Sequence, residues 1–406
     1  MEIIYRAGIW LFSLLVKIVA PFSEKANQIH KGRATAIKRL MSGDLPQGAI
    51  WVHCASLGEF EQGRPVIEKI KSDFPEEKIV VTFFSPSGFE IRKNYPLADA
   101  IIYLPADTHA NAKLLVSKLK PKMAFFVKYE YWHFYIAELA KCEIPVYLVS
   151  AIFRPNQIFF KGYGGWFRQI LQRVSFFYCQ DEKSVALLKS IGIESASVVG
   201  DTRFDRVYEI AKSAKSIPNI DLFIDGKMVI IAGSTWLPDE AILLEYISKH
   251  PDIKLIIAPH EVDSQHINKM VEMIKVPYAL YTDQKIEGWR EANVLVINTI
   301  GLLSSLYQYG VIGYIGGGFG KGIHNTLEAA TFGLPVIFGP KYQKFKEARD
   351  LIAHESGFSI NSYSDFETLM DRLIRDSNYL KMSSNGAKNY VEREIGATEK
   401  ILKKIF

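Results

Sequence analysis

Beyond Gly48 the apolar residues of this chain fall into short unbroken runs rich in β-branched and aromatic side chains, separated by longer segments of helical periodicity. The runs AIWVH, KIVVTFF, AIIYLP, MAFFVK, PVYLVSA, FFYCQ and SVVG read as strands, and FEQGRPVIEKIKSDF and HANAKLLVSKLK as amphipathic helices between them. Strands that are apolar throughout, rather than alternating, are buried on both faces, which predicts a mostly parallel sheet with helices on either side. The rhythm lapses over 206–225, through SAKSIPNI, and resumes with KMVIIAG, IKLIIAP, VPYALY, NVLVINT, VIGYIGGG and LPVIFGP. The expected fold class is therefore α/β, with two Rossmann-like domains facing each other across a cleft. These occupy residues 31–205 and 226–386, with a linker over 206–225 and a closing amphipathic helix at 387–406.

The first 30 residues depart from this pattern. A near-apolar stretch runs from Ala7 to Val16 between Arg6 and Lys17. Ten helical residues rise about 15 Å, half of the ~30 Å hydrocarbon thickness, so a membrane-surface helix is expected rather than a crossing. Trp10 and Phe12 suit the interface, and Lys25, His30, Lys31, Arg33, Lys38 and Arg39 would face anionic headgroups. No A-x-A cleavage site follows.

Composition narrows the classes further. A chain that is 48% hydrophobic and 23% charged is not disordered, and a net charge of +5 over 406 residues is too modest to indicate a nucleic-acid partner. Cys54, Cys142 and Cys179 lack C-x-x-C spacing, which argues against a disulfide framework; Cys54 and Cys142 lie beside strand-like runs and read as small core residues.

In parallel sheets ligands gather outside the carboxyl ends of the strands, so the loops after the strands are where chemistry is expected. HCASLGEFEQGR, residues 53–64, places Ser56 and Glu59 at capping-box spacing, which accounts for Glu59 structurally. The small residues Ala55, Ser56 and Gly58 also let a ligand approach the backbone, and there Glu59 would serve as a general base. Both readings stand at this point. In YIGGGFGKGIHNTLEAATFGLPVIFGP, residues 314–340, glycines at 316, 317, 318, 320 and 322 precede a helix expected to start at Asn325, with Glu328 at capping-box distance. The spacing fits neither the dinucleotide fingerprint nor the P-loop, leaving a loop and helix start offered to a phosphate and Glu328 to ribose hydroxyls. AGSTW (232–236) and APHEVD (258–263) would turn Ser234, Thr235 and His260 into the same cleft. The separation of His260 and His266 is poor for a shared zinc, and no metal is expected.

In their order these segments resemble the 3-deoxy-D-manno-octulosonic acid (Kdo) transferases of lipopolysaccharide synthesis, glycosyltransferases of the GT-B fold. The resemblance rests on HCASLGEFEQGRPVI, KYEYWHFYIAELAKCEIPVYLVSA (128–151), GDTRFD (200–205), AGSTW, NTIGLL (298–303) and the Gly-rich stretch. It implies an inverting enzyme that moves Kdo from CMP-Kdo to a lipid A precursor at the cytoplasmic face of the bacterial inner membrane. Glu59 would be the base, without a cofactor or a metal at the site. Ser56, Gly58, Gly233, Ser234, Thr235, His260, Gly301, Gly318, His324, Asn325 and Glu328 would bind substrate and donor, and Lys128, Glu130, Arg154 and Lys161 the anionic acceptor. Departures are Trp236 where the family has His, Pro259-His260-Glu261 for Pro-Arg-His, and Gly301-Leu302-Leu303 for Gly-Glu-Leu with a preceding Asp or Thr. Two rival classes share the architecture: a GT-B enzyme using a UDP-sugar, either a lipid-linked transferase or an epimerase, and a silent membrane-associated nucleotide sensor.

Overall fold

The computed structural model describes residues 1–283 and 286–406, and the chain divides into two compact units. The first comprises Met1–Arg206 together with Ile395–Phe406, and the second Val207–Glu394.

The first unit is built on a sheet of seven parallel strands in the order β3-β2-β1-β4-β5-β6-β7. They are β1 (Ile50–Cys54), β2 (Ile79–Phe83), β3 (Ala100–Tyr103), β4 (Met123–Val127), β5 (Val146–Ala151), β6 (Phe176–Cys179) and β7 (Ala196–Val198). Every residue of β1 and β2 is buried, as strands covered on both faces must be. On one face Phe60, Val66, Ile67 and Ile70 of the Leu57–Asp73 helix pack with Val52, Val81 and Phe125. On the other, Trp51 and Phe126 meet Leu115, Tyr135 and Leu139. Each such large side chain contributes about 1.5–3 kcal/mol by leaving water.

The second unit repeats the plan with seven parallel strands in the order β10-β11-β9-β8-β12-β13-β14. These are β8 (Met228–Thr235), β9 (Ile253–Pro259), β10 (Tyr278–Leu280), β11 (Val294–Val296), β12 (Ile312–Ile315), β13 (Val336–Phe338) and β14 (Gly357–Ser359). In both sheets the strand order reverses once beside the first strand, at β1/β4 and at β8/β12. Such a switch point splays the following loops apart and opens a crevice at the carboxyl ends of the strands.

Two expectations need correction, and the 206–225 linker has structure of its own. The 206–225 stretch is mostly helical, with helices Thr202–Lys212 and Ile220–Ile224. The single closing helix is two: Ser377–Glu394 packs in the second unit, and Ala397–Leu402 in the first. Gly396, at φ +97°, makes that break possible because only glycine adopts the left-handed region without strain. Cys54 and Cys179 are buried, but Cys142 is exposed at the end of the His133–Lys141 helix.

At the N-terminus, helix Glu2–Val19 bends by 118° into helix Glu24–Ser42. No single described helix is long and apolar enough to cross a membrane. The first helix is held from one side. The Tyr5 hydroxyl donates to Asp107 Oδ2 at 2.5 Å, its ring lies 5.6 Å from that of His133, and Phe12 stacks on Phe84 at 5.8 Å. The other side leaves Ile3, Ile4, Trp10, Leu11, Leu15 and Ile18 exposed, with Phe22 beyond them 89% exposed. Lys25, His30, Lys31 and Lys38 are exposed as expected of a basic surface, whereas Arg33 is not; it is buried inside the unit.

Candidate active site

In the first unit the switch point brings together the loops that follow β1 and β4. The two strands are in register from Ile50 opposite Met123 to His53 opposite Phe126, so the residues beyond them emerge side by side. His53 is fully buried. Its Nδ1 lies 2.8 Å from Thr82 Oγ1 and its Nε2 3.0 Å from Glu130 Oε2. Thr82 Oγ1, which accepts from Trp51 Nε1 at 2.8 Å and has a hydrogen and a second lone pair left, therefore meets one side of the imidazole and the Glu130 carboxylate the other. Trp132 Nε1 also donates to Glu130 Oε2, at 2.6 Å. Glu130, expected among residues contacting the acceptor, is therefore bound into a buried polar cluster behind the loop.

Glu59 lies on the first turn of the Leu57–Asp73 helix. The Ser56 hydroxyl accepts from Glu59 N–H at 3.5 Å, as an N-cap should. The reciprocal half of the expected capping box is shifted by one residue, because Glu59 Oε2 accepts from Ala55 N–H at 2.5 Å. Partial burial and the nearby Glu130 charge raise the Glu59 carboxyl to about 7, although the Ala55 N–H, His53 and Lys128 all pull it down. A carboxyl poised there is half ionised at neutral pH and able to take a proton from a substrate hydroxyl. The capping role and the chemical role thus use different features of one side chain: the backbone N–H answers Ser56, while the carboxyl is left in an environment that tunes it.

Gly58 is exposed with open space where a side chain would stand, so nothing crowds the approach to this turn. Lys128 takes a left-handed backbone at φ +69°, and Ser150 near the end of β5 does so at φ +50°. Non-glycine residues held in this region cost of order 1–3 kcal/mol each and gather where a loop must be aimed. Arg154 is exposed and Lys161 partly buried, both beyond β5. The acidic residues of GDTRFD have structural duties: Asp201 accepts from Gln62 Nε2 at 3.1 Å, and Asp205 accepts from Gly396 N and Thr398 N at 2.5 and 2.7 Å.

In the second unit the loops after β8 and β12 meet at the other switch point. Gly316 follows β12 so closely against the loop after β8 that a Cβ would stand 2.3 Å from Ser234 O. Ser234 is at φ +54° where the β8/β9 register breaks between Gly233 and Thr235. Its side chain is partly exposed. Thr235 is placed otherwise than expected: it is fully buried, and its hydroxyl donates to Glu240 Oε1 at 3.0 Å, an oxygen shared with His266 Nε2 at 2.8 Å. Its hydroxyl shapes the turn and is not offered to a ligand.

A cavity of about 570 Å³ opens here, lined by Trp236, Pro238, Asp239, His260 and His324 with Gly317, Phe319, Gly320, Lys321 and Gly322. His260 and His324 stack with ring centres 4.3 Å apart, and Trp236 Nε1 donates to His324 Nε2 at 3.3 Å. Burial, together with His260, lowers His324 to about 4, so it is a neutral imidazole at pH 7. Asn325 Oδ1 accepts from Leu327 N–H at 3.1 Å and Asn325 Nδ2 donates to Glu328 Oε1 at 3.0 Å. The helix itself is only Leu327–Thr331, beginning two residues later than expected. Gly301 is exposed at φ +98°, and Gly318 passes so close to Gly339 that neither has room for a side chain.

Sequence reasoning overlooked Asp239. Buried on the first turn of the Leu237–Lys249 helix, it accepts from Tyr314 Oη (2.8 Å), Gly317 N–H (2.9 Å) and Trp236 N–H (3.0 Å). It thereby ties the Gly-rich loop to the turn after β8. The signal was present in WLPD, a proline at the helix start followed by an acid that can answer the capping N–H.

Comparison with known proteins agrees with this architecture. Residues 24–206 match the family described as 3-deoxy-D-manno-octulosonic-acid transferase (kdotransferase). The 3-deoxy-D-manno-octulosonic acid transferase of Aquifex aeolicus is 26% identical over 346 residues, covering 83% of this chain and 89% of that protein. A bifunctional glycosyltransferase/methyltransferase of Fusobacterium nucleatum is 26% identical over 340 residues, and there the chain spans only 53% of the relative's length. The UDP-GlcNAc 2-epimerase of Neisseria meningitidis shares the fold at a TM-score of 0.60 with 14% identity, over 88% of this chain and 99% of that one. The two-domain fold is that of the GT-B enzymes, and by sequence the chain is similar along most of its length to the 3-deoxy-D-manno-octulosonic acid transferases.

Proposed function

We propose that the protein is an inverting glycosyltransferase that moves Kdo from CMP-Kdo to a lipid A precursor. The observation that carries this reading is Glu59, a carboxyl at the β1/β4 switch point raised to about 7 by burial and by Glu130. Glu59 takes the proton of an acceptor hydroxyl as its oxygen attacks the anomeric carbon. The bond from that carbon to the CMP phosphate breaks, and CMP leaves with the electron pair. One base and one displacement invert the centre. No covalent enzyme intermediate is needed.

The donor nucleotide is assigned to the second unit. Gly233, Ser234 and Gly318 belong to the segments that line the cavity, His260 and His324 offer it a pair of stacked rings, and Asn325 and Glu328 hydrogen-bonding groups for the ribose. The departing group is a monophosphate monoester, and helix starts and loop N–H groups can offset its charge without a divalent ion. The apolar outer side of helix Glu2–Val19 and the exposed Lys25, His30, Lys31 and Lys38 support attachment to the cytoplasmic face of the inner membrane, where such an acceptor resides.

The test is mass spectrometry of a tetra-acylated lipid A precursor incubated with the full-length protein and freshly generated CMP-Kdo, beside Glu59→Gln. The expected result is a gain of one or more Kdo masses with the native protein and none with the variant. A folded native protein that leaves the acceptor unchanged would overturn the proposal. A parallel incubation with UDP-GlcNAc addresses the epimerase rival and should return the sugar nucleotide unaltered.

A further inference from the structure

Arg33 is a buried cation to which the protein gives aromatic faces but no anionic partner among the described residues. It lies on helix Glu24–Ser42 and is 8% exposed. No carboxylate, carbonyl or hydroxyl among the described residues accepts from its guanidinium, and its Nε is buried without a partner. Its only close neighbours of note are aromatic faces, Phe84 at 5.0 Å and Phe12 at 5.6 Å from the ring centres. Burial lowers its affinity for a proton, the direction expected when nothing stabilises the charge. Removing a guanidinium from water without a counter-charge is expensive, and proteins rarely leave one so unless something else supplies the anion.

The same side chain lines a cavity of about 230 Å³ with Ile9 and Phe12 from the first helix, Phe84 from the loop after β2, Leu104 and Pro105 from the loop after β3, and Trp132. Asp107 is the one acid on its wall, and it is already engaged. Its Oδ2 accepts from Tyr5 Oη at 2.5 Å and Phe134 N–H at 3.2 Å, and its Oδ1 accepts from Tyr135 N–H at 3.1 Å. The cavity is thus largely apolar, lined by one cation, Arg33, and one acid, Asp107, with no ion pair between them among the described residues. It adjoins the candidate active site directly, because Trp132, stacked on Phe84 at 5.2 Å, donates to Glu130, whose charge in turn acts on Glu59. Its roof is the helix whose outer side is apolar and exposed.

We infer that this cavity is the acceptor's anchoring subsite, in which Arg33 receives a phosphate group of the acylated sugar while the aromatic and aliphatic walls pack against its hydrocarbon. This rests on the proposed reading of the protein as a transferase acting on a phosphorylated glycolipid. A phosphate supplies an anionic partner for the guanidinium and can accept from its terminal N–H groups, which, unlike the Nε, are not sealed from the cavity. An apolar group alone would leave the cation stranded. A water-soluble anion would gain nothing from Ile9, Phe12, Phe84 and Trp132.

The experiment measures equilibrium binding in detergent to full-length protein carrying Glu59→Gln, so that turnover plays no part, with and without Arg33→Met or Arg33→Lys. The probes are the tetra-acylated glucosamine disaccharide in its bisphosphorylated and phosphate-free forms, inorganic phosphate, and phosphatidylglycerol vesicles. Arg33→Met should weaken binding of the bisphosphorylated lipid by about tenfold or more, with partial recovery in Arg33→Lys and no change for the phosphate-free form. Because it replaces an unpaired buried charge by an apolar chain, this variant should melt no lower than its parent, which separates a lost contact from lost folding. Three results would overturn the inference: unchanged binding, an equal loss with the phosphate-free lipid, or the same Arg33 dependence with inorganic phosphate or phosphatidylglycerol. Should the Arg33 dependence hold while the native protein transfers no Kdo, the anchoring site stands and the transferase reading falls.

Discussion

Glu59 and Glu130 share one loop pair yet have different jobs, and the difference is environmental. Glu130 is spoken for by His53 and Trp132, whereas Glu59 keeps one strong backbone donor and an otherwise protonation-sensitive carboxyl. With Glu59 as the proposed base, which must be ionised to act, kcat/KM should fall about tenfold per unit as pH drops below about 7, the value to which its carboxyl is raised. Glu130→Gln removes one of the two causes of that rise, so the acid limb of the pH profile should move to lower pH. Glu59→Gln should lower transfer by about 10²–10⁴-fold. Stability carries an independent signature of the same group. A carboxyl raised on folding binds more protons in the native than in the unfolded state, so its contribution is greatest below about 4.5 and is lost as pH rises through about 7. The melting temperature of Glu59→Gln should therefore gain on that of the native protein between pH 5 and pH 8, as measured by calorimetry.

At the scale of elements, both sites are made by a strand ending beside a neighbour whose connection runs the other way. What fixes them is close approach of backbone, not long side chains. Gly316→Ala would put a methyl against Ser234 O, and Asp239→Asn would leave one oxygen where two now accept from Tyr314 Oη, Gly317 N–H and Trp236 N–H. Each should cost about 1–3 kcal/mol in chemical denaturation, and the second should also raise KM for the proposed donor, CMP-Kdo, by loosening the Gly-rich loop. Much of this was legible in sequence. Strands such as IWVHC and IVVTF are so apolar that only a doubly covered sheet accommodates them, and the small residues after them announce the loops. The short GFS strand, β14, was missed because three residues carry too little pattern. Thr235 was misread because a strand that continues to its last residue buries that side chain, while a bulge at Ser234 turns the neighbour outward. Arg33 was misread because its helix is polar by composition. Only the fold shows that its face is covered by Phe12 and Phe84.

At the scale of the whole molecule, the first helix is secured by Tyr5 and Phe12 on one side and unsatisfied on the other. With Trp10 66% exposed, its fluorescence should shift to the blue on adding vesicles rich in anionic lipid, and the shift should vanish in Trp10→Phe and weaken in high salt. The first unit is also assembled from two distant pieces of chain. Ile401 and Leu402 belong to the core that holds Val52 and Phe60, and Asp205 caps the helix that brings them there. During synthesis, residues 1–206 leave the ribosome without this closing piece, and the whole of 207–394 follows before it is made. The second unit can therefore finish folding while the first waits, reversing the usual order in which the amino-terminal domain matures first. A nascent chain stalled after Glu394 should carry a protease-resistant second unit and a loosely closed first one.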